Sequence, residues 1–409
     1  MCPGTLTRAF GPCACARTAV LLLSLASLSG CGAFGHRAVG AAAPQKVFRA
    51  PQTNSGPESY SSWFGDSDGH IFYFGLSAFW DASLQCEAEH KPLCPLADLA
   101  QPGDHLIGRF DMDRERFLDP LVVRRADPAA PSSVWDVLVH SNGRIYYTTM
   151  WDEFGSVLPD GTDVRYYPDA GSGLNELWEG PDGEIYATRY LGAYSGAQDE
   201  NGGVAVFGPD GEHRREFTFK IEDGVLICPR DIAVNPRTRD VWVNTDMFLA
   251  DGTPRGHDTF RLSPSGAVLE RIATPWIALP SFEADGRGWF VEDANGRWTL
   301  RIVEPDGSST SLDLGAHDAL DVTQDIKHAG DITLISTWAA NVFVVRTLPG
   351  KHYALSILRV ERLKDCPRDF ALGYTAVLSP RHDVYETVAC RITVLRAGNA
   401  DAGQPLPAK

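Results

Sequence analysis

The chain has 409 residues, enough for one large domain or two smaller ones. With 44% hydrophobic and 22% charged residues it has the balance of a globular protein, which excludes intrinsic disorder. A formal charge of −16 makes nucleic acid a poor partner and favours a cationic partner or a bound cation.

In chain order, Arg8 and Arg17 precede an apolar run of ten, Ala19 to Leu28. That run is too short to span a bilayer and suits the core of a signal peptide, so residues 1–30 are expected to be a leader. The run ends in LSGC, Leu28 to Cys31. This resembles the lipobox of bacterial lipoproteins, in which a cysteine is lipidated and becomes the new N-terminus. The resemblance implies lipidation at Cys31 and a place in the bacterial cell envelope, with the membrane touched only through the lipid. Gly32 after the cysteine resembles lipoproteins sent on to the outer membrane, on its periplasmic or its outer face. Loss of Arg8 and Arg17 takes the formal charge to −18. Residues 31–44, small and weakly charged, suit a tether.

Beyond the tether one unit recurs: a strand, a polar turn with Gly or Asp, then a strand rich in Ile, Val, Tyr and Trp. It reads GDSDGHIFYFG at Gly69, VHSNGRIYYTTMW at Gly143 and EGPDGEIYATRY at Gly183. It returns at Asp240, Gly286, Asp331 and Asp383, with intervals of 40 to 74 residues. Most intervals match a four-stranded propeller blade. Second hairpins follow most units, with alternating residues around Gly or Pro turns. The last unit lacks an outer strand, and QKVFRAP (Gln45 to Pro51) reads as the strand that supplies it. The expected fold is all-β, a seven-bladed propeller over residues 45–397 closed by an N-terminal strand, with a polar tail at 398–409. Six blades with a C-terminal appendage is the alternative.

The recurring DG-x-[IV]-[YW] turns resemble those of the NHL, SMP-30/gluconolactonase and streptogramin-lyase-like propeller superfamily. The resemblance covers nearly the whole mature chain and bears on fold more than on function. Asn175, Asn244 and Asp246 resemble the Asn and Asp ligands of SMP-30-like propellers, which implies a divalent cation such as calcium. Those propellers also need a glutamate on the first inner strand, where Glu58 stands in surroundings that do not match. The implied alternative activity is a metal-dependent hydrolase or lyase, lactonase-like, in which the metal polarises an ester oxygen.

In a propeller, the start of each inner strand and the end of the next strand converge on one face. Those positions carry Asp136, Trp151, Asn175, Glu176, Arg189, Tyr190, Arg230 and Asp231, mostly on blades two to four. The leading expectation is therefore a binding or scaffold protein that takes a small molecule or peptide in that funnel. NTDMFLADGTPRGHD (Asn244 to Asp258) reads as a long rim loop, and no histidine finds a convincing partner. His328 reads as a surface or capping residue. Catalytic residues are not assigned.

Five cysteines follow Cys31 in what would be an oxidising compartment. Cys86 and Cys94 close a short loop and are expected to pair. Cys366 and Cys390 fall at blade ends on the same face and are expected to form a second disulfide. Cys228 is expected to be a buried thiol rather than a nucleophile.

Overall fold

The computed structural model describes residues 46–49, 61–77, 105–123, 134–149, 153–190, 202–219, 224–249, 253–273, 275–317, 322–339, 341–359, 373–388 and 391–396. Cys31 and the tether, Glu58, Trp151, Cys86, Cys94, Cys366 and Cys390 lie outside the described residues. No helix among the described residues is long and apolar enough to cross a membrane.

Strand β1 (Lys46–Arg49) comes first. Blade one is β2 (Ser61–Ser67), β3 (Ile71–Ser77), β4 (His105–Asp111) and β5 (Arg116–Val123). Blade two is β6 (Asp136–Val139), β7 (Ile145–Thr148), β8 (Phe154–Val157) and the two-residue β9 (Arg165–Tyr166). Blade three is β10 (Leu174–Glu179), β11 (Ile185–Arg189), β12 (Gly203–Phe207) and β13 (His213–Thr218). Blade four is β14 (Val225–Val234), β15 (Val241–Leu249), β16 (Pro254–Leu262) and β17 (Val268–Ile272). Blade five is β18 (Trp276–Phe282), β19 (Gly288–Asp293), β20 (Arg297–Val303) and β21 (Ser309–Ala316). Blade six is β22 (Thr323–Ala329), β23 (Ile332–Thr337), β24 (Asn341–Leu348) and β25 (His352–Arg359). The last strands are β26 (Gly373–Leu378), β27 (Asp383–Val388) and β28 (Arg391–Arg396).

Six sheets are thus self-contained blades of four consecutive antiparallel strands. The remaining sheet is composite: β26, β27 and β28 are completed by β1, which pairs Lys46 with Val394 and Arg49 with Arg391. These last strands are not an appendage. The inner strand β26 touches both β22 and β2, as each inner strand touches its two neighbours around the ring.

The repeated turn is architecture. Gly143 and Gly183 sit at φ 84° and 70°, in the left-handed region that a side chain makes costly. Where the repeat lacks glycine, Arg239 and His382 take that conformation at φ 63° and 62°. The aromatic residue after the turn ties one blade to the next. Tyr146 donates its hydroxyl to the Pro209 carbonyl of blade three at 2.6 Å, and Tyr385 donates to the Met112 carbonyl of blade one at 3.1 Å. Between blades lie apolar layers. One, between blades three and four, holds Tyr186, Val204, Phe217, Ile232, Val243 and Phe260.

Two expectations are corrected. The stretch Asn244 to Asp258 is not a rim loop: β15 runs through Leu249 and β16 begins at Pro254, so blade four carries long strands where a loop is expected. His328 is not a surface residue. It sits on β22, half-buried, with ring nitrogens 2.8 Å from Ser281 Oγ and 3.0 Å from Thr333 Oγ1, and burial pushes it down to about 3.

Candidate functional site

The inner strands are short of regular pairing at one place. In every sheet but that of β6, the pairing of the inner strand with its neighbour slips by a bulge. A bulge re-aims side chains out of strict alternation. In blade three it falls between Leu174 and Leu177, around Asn175 and Glu176; in blade four it falls between Pro229 and Ile232, around Arg230 and Asp231.

Two polar networks result. The first joins blades six and one to the composite sheet of β26–β28 and β1. Thr375 Oγ1 donates to Asp325 Oδ2 at 3.0 Å and accepts from the Gly65 amide at 3.3 Å. Lys327 Nζ lies 3.6 Å from Asp325 and 3.8 Å from Asp66, and Asp66 accepts from the Val139 amide at 3.0 Å. Burial works against the Lys327 charge, but Asp325, Asp66 and Asp136 outweigh it and raise its pKa. This network closes on itself and reads as a clasp.

The second network spans blades three, four and five. Asn244, fully buried, donates through Nδ2 to Asp231 Oδ2 at 2.5 Å and to the Ala278 carbonyl of blade five. Arg230 Nε stands 3.9 Å from Asp231 Oδ2. Thr188 Oγ1 donates to the Arg230 carbonyl at 3.1 Å and accepts from the Glu176 amide at 3.0 Å. Burial first, then the Asp231 charge, pushes Glu176 well above the usual carboxylate range. Burial pushes Asp231 up to about 6 against the pull of Arg230. Unlike the first network, this one is incomplete. Asn175 Oδ1 and Asn244 Oδ1 are buried and have no hydrogen-bond partner among the described residues, while Asp231 shares a hydrogen bond with the Glu176 carboxyl. Buried polar atoms are nearly always paired, so two unpaired amide oxygens on adjacent blades ask for a donor or a cation.

At the edge of this network His257 Nδ1 lies 2.9 Å from Asp246 Oδ1, and Tyr190 donates its hydroxyl to Asp246 Oδ2 at 3.3 Å. The His257 ring stacks on Trp276 of blade five, with centroids 4.2 Å apart and planes at 22°. Its side chain is 47% exposed. Burial would raise Asp246, but the His257 hydrogen bond and Arg230 outweigh it and hold the carboxyl below its usual range.

The structure sorts the sequence candidates. Asn175, Glu176, Arg230, Asp231, Asn244, Asp246 and Tyr190 belong to the second network. Both oxygens of Asp246 are engaged by His257 and Tyr190, and Asp231 is held by Asn244 and by the Glu176 carboxyl. Asp136 bridges the blades: it accepts from the Val137 amide and, in blade three, from the Leu177 amide, both at 2.7 Å, and burial pushes it up to about 7. Arg189 turns away. It donates to Glu216 Oε1 at 2.6 Å, to the Ala170 carbonyl at 2.7 Å and to the Ser172 carbonyl, all within blade three. His257 and Trp276 are the residues that sequence reasoning misses. The signal that finds His257 is hairpin register, because Asp246 and His257 stand directly opposite each other on β15 and β16. Cys228 is buried on β14 opposite Asp246. Three or more His, Cys, Asp or Glu side chains grouped to hold a metal are not found among the described residues.

Solved structures with a similar fold include a catalytically inactive histidine-to-alanine variant of virginiamycin B lyase from Staphylococcus aureus with quinupristin. It matches with a TM-score of 0.53 and 15% identity, over 86% of this chain and 99% of that one. The extracellular domain of a one-component system from B. thetaiotaomicron matches with a TM-score of 0.50 and 12% identity, over 85% of this chain. This chain spans 42% of that structure's length. Known family profiles do not match the sequence, and neither does any curated protein. At such identities the likeness is one of fold, and the fold is a β-propeller.

Proposed function

We propose that this chain is a lipid-anchored binding protein of the bacterial cell envelope, taking a small molecule or peptide through a cationic group at blades three to five. One observation carries the reading: the unpaired buried oxygens of Asn175 and Asn244 beside the Glu176–Asp231 carboxyl pair. Around the inner strands the carboxyls Asp66, Asp136, Glu176, Asp231, Asp246 and Asp325 outnumber Arg230 and Lys327. A bound ammonium or guanidinium supplies donors to the oxygens and relieves the repulsion among the acids. Thermal unfolding with arginine methyl ester or spermidine tests this: wild type is stabilised by mass action and Glu176→Gln much less. Unchanged melting of wild type across millimolar additions contradicts it. The anchor is tested separately, since Cys31→Ser should release the protein from membranes, and continued retention refutes lipidation.

A second reading, a metal-dependent hydrolase or lyase, is favoured by the His257–Asp246 pair. Asn175 Oδ1, Asn244 Oδ1 and Asp231 Oδ1 are hard oxygen donors of the kind calcium takes, so these residues would hold it. Bound there, calcium would polarise a carbonyl oxygen of an ester or lactone. His257, oriented by Asp246, would move the proton at Nε2. The staphylococcal structure comes from a lyase inactivated by loss of a histidine, which supports testing His257→Ala for loss of turnover on ester and lactone substrates. Turnover that survives His257→Ala removes this reading.

A further inference from the structure

Blade four carries a concavity that the network around Asp231 does not use. Its strands are extended, with β14 of 10 residues and β15 and β16 of 9 each. Alternate residues of the extension form one face, and a groove of about 730 Å³ is lined by Val225, Ile227, Met247, Leu249 and Ala273 together with Arg255, Asp258 and Arg271. Met247 is neighbour in sequence to Asp246 but on the opposite side of the strand, so the groove and the His257 pair lie on different faces of one sheet. The volume is that of a small-molecule site, and the mixture of an apolar floor with a few charged groups is what such sites show.

The charges have the sign opposite to that of the protein. Arg271 is held against the floor: it donates through Nε to the buried Asp258 and through Nη2 to Met247 Sδ at 3.6 Å, and its guanidinium lies 5.3 Å from the Phe260 ring centroid. Asp258 offsets that one cation. Arg255 is exposed, and no carboxylate among the described residues pairs with it. Among the described residues that line it, Arg255 and Arg271 against Asp258, the groove carries one positive charge more than negative. A guanidinium suits bidentate binding of a carboxylate, and the aliphatic floor suits a hydrocarbon chain.

We propose that this groove binds a chain-bearing carboxylate, a free fatty acid of medium length, with its head on Arg255 and its tail over Val225, Ile227, Met247 and Leu249. The two ends are needed together. Apolar burial supplies most of the affinity and Arg255 sets the sign of the head group.

Calorimetric titration of the full chain with octanoate tests it, with octylamine and octanol as controls for charge. Octanoate should bind with one site per chain, octanol at least tenfold more weakly, and octylamine, titrated into the Glu176→Gln/Asp231→Asn variant that lacks the cationic site, not at all. Arg255→Gln, at an exposed position, should weaken octanoate at least tenfold, and Val225→Trp should block the groove. Asp231→Asn in the second network should leave octanoate binding unchanged, which separates this site from the cationic one. Absence of octanoate binding, equal binding of octylamine in the Glu176→Gln/Asp231→Asn variant, or unchanged octanoate affinity in Arg255→Gln overturns the proposal.

Discussion

Asn244 holds Asp231 across the sheet of blade four, Nδ2 to Oδ2 at 2.5 Å, and with the same nitrogen grips the Ala278 carbonyl of blade five. One amide group thus orients an inner-strand carboxylate and joins two blades. Thr148 and Thr188 do the second of these jobs in blades two and three, donating to the carbonyls of Asn175 and Arg230. Only at blade four is the residue an amide, and only there does it also hold an acid.

Asn244→Ala should therefore destabilise the fold by about 2–4 kcal/mol, because it leaves a buried carboxylate and a carbonyl without their donor. Urea unfolding of the two proteins measures this. A loss below about 0.5 kcal/mol would mean that the amide is not holding these groups.

The buried acids give stability a definite pH dependence. Asp136 is raised to about 7 and Asp231 to about 6, each by burial first. A carboxyl whose folded pKa lies above its unfolded value, near 4, binds its proton more tightly when folded. Its contribution is complete below about pH 4 and is lost as pH rises through 6 to 7. His328, pushed down to about 3, works the other way up to its unfolded value near 6.5, so the melting temperature should fall between about pH 6.5 and pH 8, and Asp136→Asn should flatten part of that fall. Groups lowered by ion pairs, such as Glu184 at about 2, act only at more acid pH and do not confuse this window.

Arg189 and Glu176 separate structure from binding. Arg189 is buried among Glu216 and two carbonyls, so Arg189→Ala should cost about 2–3 kcal/mol in urea unfolding. Its affinity for arginine methyl ester, measured well below the melting temperature, should stay within twofold of wild type. A loss of affinity above tenfold would move Arg189 into the binding site.

Closure by β1 is equally open to measurement. Four residues of β1 pair along β28 and complete the sheet that joins the chain ends. A chain that begins at Ser61 should expose the edge of β28, melt several degrees lower, and lose amide-exchange protection on β28 before it does on β19. Equal protection of β28 with and without β1 would show that the strand adds nothing to closure.

The strands and turns are legible in the sequence because each has local chemistry. Gly143 and Gly183 mark turns that need positive φ, and alternation marks the strands on either side. The site is less legible, for two physical reasons. Bulges break the alternation where Asn175, Glu176, Arg230 and Asp231 stand, so facing cannot be counted from strand parity. Arg189 and Tyr190 are adjacent, yet one bonds inside blade three and the other reaches Asp246 of blade four. The second reason is that Pro254, Arg255 and Gly256 look like turn residues but already belong to β16. The stretch reads as a long loop, and the facing of Asp246 and His257 goes unseen until β15 and β16 are placed in register.

The central claim is that the incomplete network on blades three to five binds a cationic group. The most direct measurement is calorimetric titration of arginine methyl ester into wild type and into the Glu176→Gln/Asp231→Asn double variant, with calcium as a separate arm. Saturable binding by wild type, lost at least tenfold in the double variant and unaffected by calcium, is the predicted result. Binding of equal strength in both proteins, or none in either, would contradict it.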